Sequence, residues 1–176
     1  MPRLFSGIEI PAHIAERLAG LRGGLEGARW VERDNYHITL RFAGDVDAVA
    51  AERFSQALEQ VKSPSFELML DALGSFGRGR PRAVWAGIAP NEALSTLHRA
   101  HEQAALAAGL EPRARNFHPH VTLARMRRTK AAAVAGWLAD KGAFVCAPFP
   151  VTRFVLFSAR ESRGGGPYIV ERAYPF

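Results

Sequence analysis

The sequence predicts an α+β fold of two pseudo-symmetric lobes, each with an antiparallel sheet and outer helices, with an active-site cleft between them. Strand-like and helix-like segments alternate along the 176 residues, of which 48% are hydrophobic. A chain of this length can bury the core of a single bilobal domain over residues 1–176. The segment HITL at residues 37–40 recurs as HVTL at residues 120–123, an offset of 83 residues that indicates an internal repeat.

Each half of the repeat reads strand, helix, His-x-Thr strand, helix and hairpin. The same offset relates Phe66 to Phe149 and Trp85 to Tyr168, although the intervening positions do not all match. Helices that cover one face of each antiparallel sheet leave the other faces free to meet across a cleft. Ligands favour such interfaces, so the cleft is the expected site.

The elements of the first half follow from local patterns. Residues 4–10 (LFSGIEI) alternate, which predicts a strand, and the helix that follows has one apolar face. Residues 37–42 (HITLRF) have the β-branched alternation of a second strand. Asp45 or Asp47 is expected to cap a helix that runs to about Val61.

A predicted hairpin joins the two halves. Residues 66–73 (FELMLDAL) and 83–88 (AVWAGI) read as strands on either side of a Gly/Arg-rich turn. Pro90 is expected to open a helix that continues through Ala108. The glycine-rich segment SRGGGPY at 162–168 is expected to form a later hairpin turn.

The positive charge of the chain is carried mostly by arginine. The formal net charge is +6, and three of the 23 basic residues are lysines. A guanidinium donates paired hydrogen bonds to phosphate and stacks on bases, which favours a phosphate or nucleic-acid partner. An arginine-rich codon bias would give the same composition without an anionic ligand. Clustering adds to the indication, at Arg78, Arg80 and Arg82 and at Arg125, Arg127 and Arg128.

The chain is expected to be soluble, cytoplasmic and free of membrane segments. No apolar run approaches the roughly 20 residues of a membrane span. The N-terminal segment MPRLFSGIEIPAH lacks the apolar stretch and cleavage site of a signal peptide. Cys146, the single cysteine, lies in the apolar segment AFVCAPF and is expected to be a core residue rather than a nucleophile.

The two His-x-Thr segments are the candidate catalytic centre. Residues i and i+2 of a strand share one side, so His37 pairs with Thr39 and His120 with Thr122. Two opposed imidazoles, each with an ordinary pKa of about 6.5, can act as acid and base on a phosphodiester. The threonine hydroxyls can donate to the non-bridging oxygens, where negative charge builds up.

Neither a metal nor another cofactor is expected. His118 and His120 could form a ligand pair, but no third carboxylate or thiol lies nearby at typical spacing, and Pro119 stiffens the approach. The chain also lacks a phosphate-binding P-loop and a GxSxG nucleophile motif, which argues against ATP hydrolysis and serine-hydrolase chemistry.

Several segments together carry a family resemblance: RLFSGIEIP, HITLRFAGDV, FHPHVTLAR and FVLFSARESRGGGPYIV. They resemble the LigT-like RNA 2′,3′-cyclic phosphodiesterases of the two-histidine (2H) phosphoesterase superfamily, over nearly the whole chain. The resemblance implies metal-free opening of a terminal 2′,3′-cyclic phosphate to a 2′-phosphate. It also implies reversible, ATP-independent 2′-5′ joining of RNA halves. RNA, tRNA halves included, is the expected partner, and the protein is expected to be a monomer.

The resemblance assigns roles to the paired motifs. His37 matches the general acid for the departing 3′ oxygen, and His120 matches the base that activates water. Thr39 and Thr122 match phosphate-contacting positions. Arg125, five residues after His120, matches an arginine associated with phosphate.

The position five residues after His37 breaks this symmetry, because it is Phe42. Its ring is expected to stack on the terminal base, and packing in the core is the alternative. Phe5 is expected to be either a second aromatic wall or a core residue. An odd offset points away from the histidine in an ideal strand, so the strand that carries Arg125 must end, twist or bulge first.

Three other functions are open at this point. A relative with the same histidines could act on another cyclic nucleotide or on a 2′-5′ linkage. A non-catalytic module could hold RNA ends in a basic cleft. If the repeat had only a structural role, the match between the two histidines would be a coincidence.

Overall fold

The computed structural model describes residues 3–159 and 166–176, so part of the expected SRGGGPY turn lies outside the described residues. The strands are β1 Arg3–Glu9, β2 Arg29–Trp30, β3 His37–Asp45, β4 Phe66–Leu68, β5 Leu70–Phe76, β6 Ala83–Ile88, β7 His120–Arg125, β8 Phe149–Val151, β9 Arg153–Ser158 and β10 Ile169–Pro175. The helices are α1 Ala12–Ala19, α2 Ala48–Glu59, α3 Glu92–Ala107 and α4 Ala131–Lys141. The predicted α+β class is confirmed.

The structure settles which residue begins α2, and it shows a different start for α3 from the one predicted. The side chain of Asp47 accepts a hydrogen bond from the amide of Ala50 at 2.8 Å, so Asp47 caps α2, while Asp45 pairs with Arg3 instead. Asn91 rather than Pro90 caps α3, because its side chain accepts from the amide of Leu94 at 2.9 Å. Pro90 therefore precedes the helix rather than opening it.

The strand expected at residues 66–73 is divided at Met69. β4 pairs with β8 in a small two-stranded sheet, whereas β5 pairs with β6 as the predicted hairpin. The carbonyl of Met69 accepts from the amide of Ala89 at 2.9 Å, which holds the chain where it leaves one sheet for the other. Leu68 and Leu70 are both buried on either side of this change, which periodicity alone could not reveal.

The main sheet is continuous from one lobe to the other, in the order β10-β9-β1-β3-β7-β6-β5, with β2 paired to β7. The two halves of the chain exchange strands. β9 from the second half pairs with β1, and β5 from the first half pairs with β6. The lobes are therefore not the sequential halves, and they meet edge to edge, where β3 pairs with β7 through Ile38 and Val121.

The register of both sheets follows the 83-residue offset. Ile38 lies opposite Val121, which is its own equivalent in the second half. In the small sheet, Glu67 lies opposite Pro150, again its own equivalent. A residue can face its own repeat partner only on a two-fold axis, so a pseudo-two-fold passes through both pairs.

The helices pack on one face of this arrangement. α3 contacts both β3 and α2, and α2 contacts β10. The side chains that β3 and β7 turn toward the core, Ile38, Leu40, Val121 and Leu123, are fully buried.

Cys146 is also buried, which confirms it as a core residue, and burial raises the pKa of its thiol. Among the described helices, none is long and apolar enough to cross a membrane.

A histidine lies within this core. His101 of α3 is fully buried, its Nδ1 is 2.7 Å from the hydroxyl of Ser6, and its ring packs edge-on against Phe154. Burial lowers the pKa of His101 to about 3, with a smaller contribution from His98. The unfolded chain therefore binds a proton to this residue at a pH where the folded chain does not.

We predict that this difference destabilises the fold in acid. As the pH falls from about 6.5 to about 4.5, His101 should remove about 2 kcal/mol from the free energy of unfolding. His101→Gln, which keeps a hydrogen-bonding group for Ser6, should reduce that pH dependence in urea unfolding curves. The exposed His13 serves as the control, and an equal effect of His13→Gln would contradict the assignment.

Candidate active site

The two predicted imidazole and hydroxyl pairs lie on one face of the sheet. His37 and Thr39 alternate with fully buried residues along β3, and His120 and Thr122 do so along β7. The fully buried side chains of these strands face the core, so the partly exposed histidine and threonine side chains face away from the helices. The antiparallel pairing at Ile38 and Val121 brings the two sets side by side on that face.

Each of these strands contains a β-bulge three residues after its histidine. In β3 the register with β1 skips Leu40, and in β7 the register with β6 skips Leu123. Two consecutive residues are buried there, and the next residue emerges on the open face. The bulge turns Phe42 and Arg125 to the side of the histidines, which resolves the odd offset.

The first bulge is held from the core side. Arg41 is buried and forms an ion pair with Glu102 of α3 at 2.8 Å. Its Nη1 donates to the carbonyl of Phe42 at 2.6 Å, and its Nη2 donates to the carbonyl of Glu111. The equivalent of Arg41 in the second half is the small Ala124, so the two bulges have different supports.

Matching backbone contacts orient the two imidazoles. Nδ1 of His37 lies 2.8 Å from the carbonyl of Asn35, and Nδ1 of His120 lies 2.7 Å from the carbonyl of His118. A carbonyl only accepts, so each Nδ1 carries the proton and donates it. Nε2 is left for chemistry on each ring. In His37 this atom is 3.1 Å from the hydroxyl of Thr39, which can donate to it.

Aromatic rings surround both imidazoles. Phe5 and Tyr168 lie 4.8 and 4.9 Å from the ring of His37, and Phe76 lies 4.8 Å from the ring of His120. Trp85 lies 6.1 Å from His120. Sequence reasoning found the Trp85 and Tyr168 equivalence but gave neither residue a role. Tyr168, which directly precedes β10, contacts His37 from far along the chain, so local patterns could not predict that contact.

The pKa of each histidine is lowered. Burial among these rings lowers the pKa of His37 to about 4, although its side chain keeps some exposure. The charges of Arg125 and His120 add to this, and the Asn35 hydrogen bond opposes it. Burial also lowers the pKa of His120, together with the charges of His118, Arg125 and Arg113. At neutral pH both imidazoles are therefore neutral in the free protein.

A cavity of about 320 Å³ lies beside His37. It is lined by Arg3, Phe5, His37, Thr39, Phe42, Arg125, Ala159 and Tyr168. Five of the predicted site residues therefore border one space, and the sixth and seventh, His120 and Thr122, lie on the same face without lining it. When His120 is protonated, its positive charge nevertheless lowers the pKa of His37.

The two predicted aromatic walls differ in packing. Phe42 is 46% exposed, so it is not a core residue. Phe5 is 4% exposed and stacks on Phe157 at 5.0 Å, yet one edge of its ring still borders the cavity. Phe5 therefore packs against Phe157 and also forms part of the wall of the cavity.

Metal-ligating side chains do not cluster in the part of the chain that the structure describes. Among residues 3–159 and 166–176, no group of three or more histidine, cysteine, aspartate or glutamate side chains could hold a metal ion. His118 lies with its ring 6.2 Å from that of His120, and no carboxylate among these residues completes a site with them.

Comparison with known proteins gives the same picture over the whole chain. A family model of the 2′-5′ RNA ligase superfamily matches residues 10–163. An RNA 2′,3′-cyclic phosphodiesterase of Escherichia coli is 32% identical over 94% of this chain and 92% of its own length. One of Aeropyrum pernix is 37% identical over 63% of this chain and 66% of its own length.

A solved structure agrees with the observed fold. The structure of E. coli LigT complexed with 3′-AMP matches with a TM-score of 0.78 at 30% identity, over 100% of this chain and 99% of that one. The chain belongs to the 2′-5′ RNA ligase superfamily. Within that superfamily, it belongs with the proteins named RNA 2′,3′-cyclic phosphodiesterase, a family of enzymes, as the motifs predicted.

The two phenylalanines allow a direct test of the packing described above. Phe5→Ala should lower the free energy of unfolding by roughly 3–4 kcal/mol, because it removes a stacked, buried ring. Phe42→Ala should change it by less than about 1 kcal/mol, because the ring faces the cavity. Urea unfolding of both variants makes the comparison, and equal losses would show that Phe42 is structural.

Proposed function

We propose that this chain hydrolyses RNA 2′,3′-cyclic phosphate ends to 2′-phosphomonoesters by two-histidine acid–base catalysis without a metal ion. The observation that carries the proposal is the two-fold arrangement of His37 with Thr39 and His120 with Thr122 on one open face of the sheet. Matching Nδ1 contacts leave Nε2 available on both rings. Membership of a family of cyclic phosphodiesterases supports the substrate class.

In the proposed reaction, His120 acts as the base. Its Nε2 takes a proton from water as the water oxygen bonds to phosphorus. The bond between phosphorus and the 3′ oxygen breaks, and Nε2 of His37 gives that oxygen a proton. A 2′-phosphate and a free 3′-hydroxyl remain.

His37 must gain the proton that it donates. In the free protein its pKa is about 4, because the ring is buried near positive charge. A bound cyclic phosphate brings a negative charge that counters Arg125 and favours the imidazolium. Binding of the substrate anion thus favours the protonated form of His37, which can act as the acid.

The remaining predicted residues hold the substrate. Thr39 and Thr122 donate hydrogen bonds to the non-bridging oxygens, and Arg125 offers a planar pair of donors to the same group. Phe42, exposed at the mouth of the cavity, stacks on the terminal base, with Phe5 behind it.

The same site can join RNA ends. If a 5′-hydroxyl replaces water as the nucleophile, the 3′ oxygen leaves as before and a 2′-5′ linkage forms. The cyclic diester supplies the reactive bond, so no ATP is needed. We propose RNA, tRNA halves included, as the partner of a monomer that acts in the cytoplasm.

Removing either imidazole tests the proposal. His37→Ala or His120→Ala should lower turnover of an RNA with a 2′,3′-cyclic phosphate by about 10² or more. His13→Ala, which alters an exposed residue of α1, is the matched control. A chelator should leave the wild type active. Near-normal activity of either variant, or inhibition by the chelator that a divalent ion reverses, would contradict the proposal.

The lowered pKa values predict the pH dependence. An acid and a base whose pKa values both lie below 6.5 give a bell-shaped kcat/KM with its maximum below that pH. The bound phosphate raises both pKa values, so the maximum of kcat should lie at higher pH. Steady-state rates across pH check both, and a kcat/KM maximum above 7 would contradict the assignment.

A further inference from the structure

A cavity beside the active site is lined mostly by arginine. It measures about 750 Å³ and is lined by Gly27, Arg29, Arg80, Pro81, Arg82, Arg125, Met126 and Arg127. We call it the arginine groove. Its described lining includes five guanidinium groups and no carboxylate. It is therefore strongly positive, which suits a polyanion.

The fold gathers these arginines from three separate segments. Arg29 of β2 lies opposite Arg125 of β7, and Ala83 at the start of β6 lies opposite Arg125 from the other side. The amide of Met126 donates to the carbonyl of Arg82 at 2.8 Å, which joins the β5–β6 turn to the end of β7.

The turn that carries Arg80 and Arg82 has a fixed shape. Gly77 has a φ of +97°, and a Cβ there would lie 2.2 Å from the carbonyl oxygen of Arg80. The amide of Arg82 also donates to the carbonyl of Phe76 at 2.8 Å across the turn. Both guanidiniums therefore extend from a tight, glycine-dependent turn into the groove.

Several arginines elsewhere pair with carboxylates, as in Arg3 with Asp45 and Arg153 with Glu9, each at 2.8 Å. Within the described residues, Arg80, Arg82 and Arg127 form no salt bridge. Codon bias alone would not concentrate five guanidinium groups in one groove.

The groove meets the active site at Arg125, which lines both cavities. In a substrate with a cyclic phosphate at its 3′ end, the chain continues only on the 5′ side of the terminal nucleotide. Its next phosphates must therefore leave the site along some part of the surface. The arginine groove is the positive surface that begins at the proposed phosphate contact.

We propose that the arginine groove binds the phosphodiester backbone of the RNA upstream of the cyclic phosphate, an inference that rests on the proposed function. The described lining of the groove contains no aromatic side chain on which a base could stack. Recognition is therefore of phosphate rather than of base sequence. The groove makes the enzyme prefer longer RNA ends over isolated cyclic nucleotides.

Three substrates test the groove. The first is a dinucleotide with a 2′,3′-cyclic phosphate, and the second is an RNA of about ten nucleotides with the same end. The third has the length of the second, but uncharged methylphosphonate linkages replace its upstream phosphates. Wild-type protein should show a KM for the second substrate about tenfold below its KM for the first and third.

The Arg80→Ala/Arg82→Ala double variant should raise KM for the long RNA about tenfold and leave the dinucleotide and the methylphosphonate RNA unchanged. The dependence of log KM on log salt for the long RNA should weaken by about 1.4, because two phosphate contacts are lost. Arg53→Ala, an exposed residue of α2, is the matched control. The proposal that the groove binds RNA would be overturned by equal effects of the double variant on short and long substrates. It would also be overturned if the wild type showed no preference for the longer RNA.

A failure of the proposed function would have a different outcome. If wild-type protein turned over none of the three substrates, the assigned chemistry would be wrong. The groove would then be tested by fluorescence anisotropy with the same long RNA bearing a 3′-phosphate. Binding that the double variant weakens and Arg53→Ala does not would support the groove, and binding unaffected by the double variant would overturn it.

Discussion

Where β3 meets β7, the fully buried residues Ile38 and Val121 pair across the repeat, each opposite its own equivalent. Because they face the core, their neighbours in both strands must face the opposite side. One packing contact thus aligns two imidazoles and two hydroxyls on a common face. A slip of one residue in either strand would move half of the site into the core. The chemistry of the site depends on this register.

The two bulges give the symmetric frame an asymmetric site. Both insert a residue at equivalent positions, Leu40 and Leu123, so both turn the fifth residue after the histidine outward. In one strand that residue is Phe42, supported from beneath by buried Arg41, and in the other it is Arg125. An apolar ring and a cation on equivalent positions suit the two parts of a nucleotide, its base and its phosphate.

Much of this arrangement could be predicted from the sequence, for physical reasons that also set the limit. Strand alternation predicted the shared face of His37 and Thr39, and the repeat predicted the second pair. Periodicity could not specify the bulges, because an extra residue changes the register without changing composition. The exchange of β5 and β9 between lobes is a non-local event, so the contact of Tyr168 with His37 had no local signal. The arginine clusters were visible in the sequence, but their convergence with Arg29 depends on the pairing of β2 with β7.

The paired contacts of Nδ1 with the carbonyls of Asn35 and His118 leave Nε2 of both imidazoles available. The proposed reaction breaks the bond to the 3′ oxygen and keeps the bond to the 2′ oxygen. The most direct test is to identify the monoester formed from a short RNA with a 2′,3′-cyclic phosphate end, by phosphorus NMR in buffer treated with a chelator. The account predicts a 2′-phosphate as the product. A 3′-phosphate, or an unchanged cyclic phosphate, would contradict it.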